Sequence, residues 1–293
     1  MGIFEKLTGD PPCEDQIQIQ TEIFVGDCVQ GMSHLPAGCV DVVVTSPPYN
    51  CGIAYRSYRD DRERGEYLAW TEEWTRGVKR VLREEGSLFL NLGECGEDPL
   101  LAHEMILRVS KLGFHLQNTI HWIKAISLDQ PDGSVISRGH FKPINSRRRL
   151  NSCHEYVFHL TKSGAVPLDR KAVGVPYADK SNIARWGHTE GEDRRCRGNT
   201  WFVPYRTIRS RDRQRPHPAT FPVELAERCV RLHGQPRPVV MDPFLGIGSA
   251  GEAAARVGAA RFIGFEIDVE YADLARARIL AAEEAGFLDA RRR

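Results

Sequence analysis

Val40-Asp41-Val42-Val43-Val44-Thr45-Ser46-Pro47-Pro48-Tyr49-Asn50 is the stretch on which the reading of the chain turns. Four valines around one acid predict a short strand buried on both faces, the pattern of a parallel sheet. Pro47 and Pro48 follow at once, and since neither has an N–H to give to a ladder, the strand stops there. The product is a stiff elbow at the carboxyl end of a strand, the edge where open α/β sheets hold ligands. The carbonyls of Ser46 and Pro47 are expected to face outward as fixed acceptors, with the ring of Tyr49 beside them. Acceptors next to a stacking surface suit an exocyclic amino group on a planar base. An ordinary Pro-Pro turn looks the same in isolation, so the rest of the chain decides.

Outward from the elbow, strands and helices alternate. Ile17 to Val25 predicts a strand ending at Gly26-Asp27, and Cys28 to Leu35 a short helix. Asp27 has two readings: a helix N-cap, or a ligand contact at a strand end. Residues 50–58 are polar, aromatic and irregular, and read as a mobile loop over the site. A helix from Glu66, a buried strand from Gly86 to Gly93, a helix from Leu100 to Leu112 and a strand from Phe114 to Ile123 follow. This alternation predicts a doubly wound α/β sheet.

A second strand end carries glycines. Pro238 to Met241 leads into Asp242-Pro243-Phe244-Leu245-Gly246-Ile247-Gly248-Ser249, a helix to Val257, a strand from Arg261 to Phe265, and then Glu266. Glycines let the backbone approach a ligand closely, and an acid after the second strand of such a unit suits ribose hydroxyls. Gly246 to Gly251 is also a literal G-x-G-x-x-G with Glu266 20 residues beyond its first glycine, the dinucleotide spacing. Only 47 residues follow Gly246, too few for the remaining strands of a nicotinamide domain. The strands that complete the sheet lie near the N-terminus instead.

Composition sets the class. The chain has 293 residues, 41% of them hydrophobic and 27% charged, as in a soluble globular protein, and no apolar run approaches a membrane span. The eight cysteines show neither C-x-x-C pairs nor metal-ligand spacing, so free thiols in a reducing cytoplasm and no metal site are expected. Net charge is only +1, but it is unevenly spread. Residues 138–215 hold 18 Lys and Arg against 7 Asp and Glu, while the rest holds 22 against 32. A basic middle on an acidic body is the footprint of a polyanion partner, although a solvated basic loop counts the same. Arg147-Arg148-Arg149 is its densest run, within residues 125–152 where periodicity is lost.

Thr45-Ser46-Pro47-Pro48-Tyr49 resembles motif IV of the amino-methylating DNA methyltransferases, and Asp242-Pro243-Phe244 before Gly246 and Gly248 resembles their motif I. Catalytic elbow first, basic insertion second and cofactor glycines last is the permuted order of the β class, and the resemblance spans roughly residues 20–285. It implies a Rossmann-like, S-adenosylmethionine-dependent methyltransferase fold with a loop-rich basic insertion. The implied division is an arm at 1–16, a catalytic domain at 17–164 and 216–285, and a target recognition region at 165–215 to which 125–152 contributes. Cys153 to Leu160 resembles the edge-hairpin strand of that catalytic domain. The segment from Arg215 to Pro222 resembles the lining of the cofactor's methionine end, with His217 in a structural, Pro-locked turn.

The resemblance assigns catalysis to Ser46, Pro47, Pro48 and Tyr49, and the cofactor to Asp27, Asp242, Pro243, Phe244, Gly246, Gly248 and Glu266. DNA falls to Arg147, Arg148, Arg149, Tyr55 and Arg56. The base must be flipped from duplex DNA to reach the methyl donor. Ser before Pro-Pro resembles the cytosine-N4 group, with adenine-N6 the alternative and an inactive DNA-binding module the alternative of another class. Carbon-5 methylation needs a Pro-Cys thiolate at a strand end, whereas the only Pro-Cys, Pro12-Cys13, lies in the arm. A cognate restriction endonuclease is a possible partner, and oligomeric state is left open.

Overall fold

The valine run folds as expected. In the computed structural model, which describes residues 19–96, 98–129, 135–139, 147–148, 150, 152–186, 189, 191–206, 217 and 219–290, Val40–Thr45 is a strand buried along its whole length. The described elements are β1 (Gln20–Val25), α1 (Cys28–Ser33), β2 (Val40–Thr45), α2 (Arg64–Val81), β3 (Leu82–Leu92), α3 (Leu101–Lys111), β4 (His115–Asp129) and β5 (Val135–Gly139). They continue with β6 (His154–Thr161), α4 (Ser181–Arg185), β7 (Thr200–Arg206), α5 (Val223–His233), β8 (Val239–Asp242), α6 (Ser249–Arg256), β9 (Arg261–Glu266) and α7 (Val269–Ala290).

The described strands form one nine-stranded sheet in the order β1-β9-β8-β2-β3-β6-β4-β5, with β7 alongside β4. Side chains of successive β2 residues point to opposite faces. Val43 packs with Leu88, Leu90, Met241 and Ile263 against α1, α2 and α3. Val42 and Val44 pack with Phe89, Val240 and Phe262 against α5, α6 and α7. Each fully buried valine contributes about 1.5–3 kcal/mol relative to exposure, an upper estimate because denatured chains are partly collapsed. The lone acid in the run is accounted for as well. Asp41 takes the Arg83 guanidinium at 2.5 Å and the Val239 N–H at 2.8 Å, tying β2 to the start of β8.

β1, β9, β8, β2 and β3 run parallel, so their carboxyl ends share one edge of the sheet. β6 is antiparallel to both β3 and β4, which brings its first residues to that same edge. The structure corrects three expectations. β6 is an interior strand between β3 and β4, not a hairpin edge. β4 runs on to Asp129 and pairs with β5 inside a segment read as aperiodic. The insertion read as loop contributes α4 and the strand β7, parallel to β4, with Trp201 and Val203 buried in the core. Among the described residues no helix is long and apolar enough to cross a membrane.

Candidate active site

One cavity of about 1270 Å³ runs along the carboxyl edge of the sheet. Its walls include the elbow residues Ser46, Pro47, Pro48 and Tyr49 at one end. At the other stand Asp27, Pro243, Phe244, Gly246 and Glu266. Two strand ends far apart in sequence thus meet in one space.

The glycine end is shaped by backbone. Gly248 caps α6 at φ 86°, and a Cβ there would lie 2.9 Å from Ala275 Cβ on α7, so only glycine fits. Glu266 accepts the Gly246 N–H at 2.7 Å and the Asp268 N–H at 3.0 Å. Burial pushes the Glu266 pKa up and those N–H groups oppose it. Phe244 stands edge-on to Trp70 and Trp74, with ring centroids 5.4 and 5.2 Å away. Asp27 Oδ1 caps α1 through the N–H groups of Val29 (2.8 Å) and Gln30 (3.0 Å), and the residue also lines the cavity. Asp242 is different. It lies behind the wall, 1% exposed, where Oδ1 takes the Thr45 hydroxyl at 2.7 Å and the Phe244 N–H at 2.9 Å. Its Oδ2 has no partner, and burial pushes its pKa up to about 7.

At the elbow the Tyr49 hydroxyl is held on several sides. Ser46 Oγ lies 2.7 Å from it, Asn91 Nδ2 donates to it at 2.8 Å, and it donates to Glu155 Oε2 at 3.2 Å. Glu155 Oε1 pairs with Lys124 Nζ at 2.6 Å. The Tyr67 hydroxyl donates to the Pro48 carbonyl at 2.6 Å and so braces the turn from α2. Gly93 leaves room for this cluster, since a Cβ there would lie 2.8 Å from the Tyr49 ring.

The 50–62 segment is organised around one carboxylate. Asp60, 3% exposed, accepts the N–H groups of Asn50 (2.8 Å), Cys51 (3.1 Å) and Ile53 (3.0 Å). Burial raises its pKa and the three N–H groups resist. Arg56 pairs with Asp268 and Glu270 at the start of α7, and Ser57 donates to Asp268 at 2.6 Å. Tyr55 packs against Tyr58 and His217. The two loop residues expected at DNA therefore make contacts within the protein and close the segment over the cavity. His217 Nδ1 accepts the Ala219 N–H at 3.3 Å, and burial lowers its pKa to about 4, as a neutral structural imidazole requires.

Arg147 and Arg148 are exposed, and Arg149 lies outside the described residues. The residues that sequence reasoning missed are Asn91, Glu155, Lys124 and Asp60. Asn91 did leave a signal, a polar residue inside the apolar run from Leu88 to Leu92.

Residues 40–277 match the model of the N6/N4 family described as DNA methylase. The chain is 28% identical over 289 residues to the type II methyltransferase M.BglII of Bacillus subtilis, covering 95% of this chain and 74% of the relative. It is 26% identical over 290 residues to the type II methyltransferase M.SmaI of Serratia marcescens, covering 88% and 90%. Among solved structures, it resembles the PvuII DNA methyltransferase (cytosine-N4-specific) with TM-score 0.65 and 20% identity, over 92% of this chain and 93% of that one. It also resembles TTHA0409 of Thermus thermophilus complexed with S-adenosyl-L-methionine, with TM-score 0.58, 26% identity, and coverage of 90% and 94%.

Proposed function

The chain belongs to the N6/N4 DNA methylase family, and from that premise we propose that it transfers a methyl group from S-adenosylmethionine to the exocyclic N4 of cytosine in duplex DNA. The observation that supports this best is the shared cavity, which joins the Ser46-Pro47-Pro48-Tyr49 elbow to the Gly246 and Glu266 end. The residues fit the cofactor: an aromatic wall of Phe244 and Phe265 suits its adenine, and Glu266 and Asp27 suit polar groups carrying hydrogen or positive charge. When bound, S-adenosylmethionine supplies a methyl group on a positively charged sulfur.

The target base is flipped out of the duplex into the elbow end. Tyr49 stacks on it, and the Ser46 and Pro47 oxygens accept the amino hydrogens, which turns the nitrogen lone pair toward the methyl group. Catalysis then rests on positioning and preorganised dipoles rather than on a side-chain nucleophile. Ser46, rather than an acid or amide before Pro47-Pro48, supports cytosine over adenine. Target recognition is assigned to residues 165–215 with 125–152, anchored to the sheet through β7. Arg147 and Arg148 are assigned to phosphates. The type II relatives suggest a restriction endonuclease of matching specificity as partner.

Nucleoside mass spectrometry of DNA from cells expressing the chain tests the product. N4-methylcytosine is the expected result. N6-methyladenine would keep the amino transfer and overturn the role of Ser46, whereas 5-methylcytosine or no methylated base would refute the reading.

A further inference from the structure

An amino nitrogen that gains a methyl group must shed a proton. Beside the elbow a line of oxygens leads away from the place where that nitrogen would lie. Ser46 Oγ is 2.7 Å from Tyr49 Oη, which is 3.2 Å from Glu155 Oε2. Asn91 ties this line together. Its amide nitrogen only donates, and it donates to Tyr49 Oη at 2.8 Å and to Glu155 Oε2 at 2.6 Å. Tyr49 Oη thus accepts from Asn91, either hydroxyl of the Ser46–Tyr49 pair can donate to the other, and the Tyr49 hydrogen has Glu155 Oε2 at 3.2 Å and the Asn91 carbonyl at 3.3 Å as acceptors. Lys124 pairs with the far oxygen of Glu155 at 2.6 Å. Burial, with the Glu155 charge second, raises the Tyr49 pKa far above the phenol range, so this hydroxyl conducts a proton and does not store a charge.

We propose that Ser46, Tyr49 and Glu155 form a relay that carries the amino proton from the methylated base to the Glu155 carboxylate. As the nitrogen–carbon bond forms, an N–H bond of the base breaks and its proton joins Ser46 Oγ. The Ser46 proton moves to Tyr49 Oη, and the Tyr49 proton moves to Glu155 Oε2. The base ends neutral, both hydroxyls are restored, and Glu155 becomes a carboxylic acid, with no co-reactant needed. Its side chain is 13% exposed, enough to return the proton to water. The relay rests on the amino-transfer reading but not on which base carries the amino group.

A purely structural role for Glu155, holding the Tyr49 ring, predicts different kinetics. Tyr49→Phe keeps the stacking ring and leaves the Glu155–Lys124 and Glu155–Asn91 contacts in place; Glu155→Gln keeps the shape and removes the base. Single-turnover transfer from labelled S-adenosylmethionine to DNA lacking methylation is measured against pH, with cofactor and DNA binding as controls. Each variant is expected to slow transfer by roughly 10²-fold, with binding unchanged. The wild-type pH–rate profile should carry a limb that depends on the relay, and both variants should lose it. A chain broken twice is no worse than a chain broken once, so the double variant should match the slower single one. Tyr49→Phe with the wild-type rate and profile would overturn the relay, as would a double variant whose losses multiply. A wild-type protein that forms no methylated amino group would instead refute the amino-transfer reading, before any variant is compared.

Discussion

Asp242 carries the sharpest residue-scale consequence. A carboxyl at 1% exposure with one unpartnered oxygen resists ionisation, and burial lifts its pKa from 3.8 to about 7. Between those values the folded protein holds a proton that the unfolded chain has released. The stabilisation is therefore complete below the unfolded value and is lost as pH rises through about 7. Asp242→Asn keeps an oxygen for Thr45 and Phe244 but cannot ionise. Relative to that variant, the unliganded wild type is expected to lose on the order of 4 kcal/mol between about pH 4 and about pH 8. Urea unfolding of both proteins at each pH measures it, and parallel pH dependences would show that Asp242 ionises without penalty. Sequence marked Asp242 as functional from its place before the glycines, and it marked the elbow from its prolines. It did not show that Asp242 faces Thr45 rather than the cavity, because a one-dimensional pattern carries no facing at a strand end. The joint role of Asn91 and Glu155 was hidden for the same reason: their partners are Tyr49 on the elbow, Lys124 on β4 and each other.

The 50–62 segment shows what periodicity misses at the scale of an element. Lacking a repeat, its residues 50–58 read as mobile, yet one buried carboxylate gathers three of their N–H groups. Asp60→Ala would leave those donors without an acceptor, at about 1–3 kcal/mol for each group that stays dry. The expected result is rapid amide exchange across 50–62 and weaker S-adenosylmethionine binding, while the core strands stay protected. Unchanged exchange would locate the hold on this segment elsewhere, in the contacts of Arg56 and Ser57 with the buried Asp268 rather than in the exposed Arg56–Glu270 pair, a kind that contributes little. β7 escaped notice for another reason. Pro204 argues against a strand, but proline is tolerated where no ladder hydrogen bond is asked of it, and β7 pairs only with β4 among the described strands. The alternation of buried Trp201, exposed Phe202 and buried Val203 was the legible part.

For the whole molecule, the uneven charge is the readable property, since counting along the chain needs no structure. If Arg147, Arg148 and Arg149 sit on phosphates, neutralising all three should weaken DNA binding and flatten its salt dependence. The slope of log affinity against log salt should drop by about 0.9 per lost contact; titrations at several salt concentrations read it, and an unaltered slope would leave these arginines merely solvated. Strand order was less legible than strand existence, because it depends on pairings between distant segments. β1 shows this most plainly: it lies at the edge of the sheet against β9, where Glu22 and Arg261, 239 positions apart, join their side chains at 2.7 and 2.8 Å. During synthesis the segment that becomes β1 leaves the ribosome long before its neighbour in the sheet exists. Strands β2, β3, β6 and β4 have partners nearer in the chain and are free to settle earlier. The floor of the glycine end comes last, when β9 arrives, so a nascent chain has no complete cavity in which to hold the proposed cofactor until Glu266 has been translated.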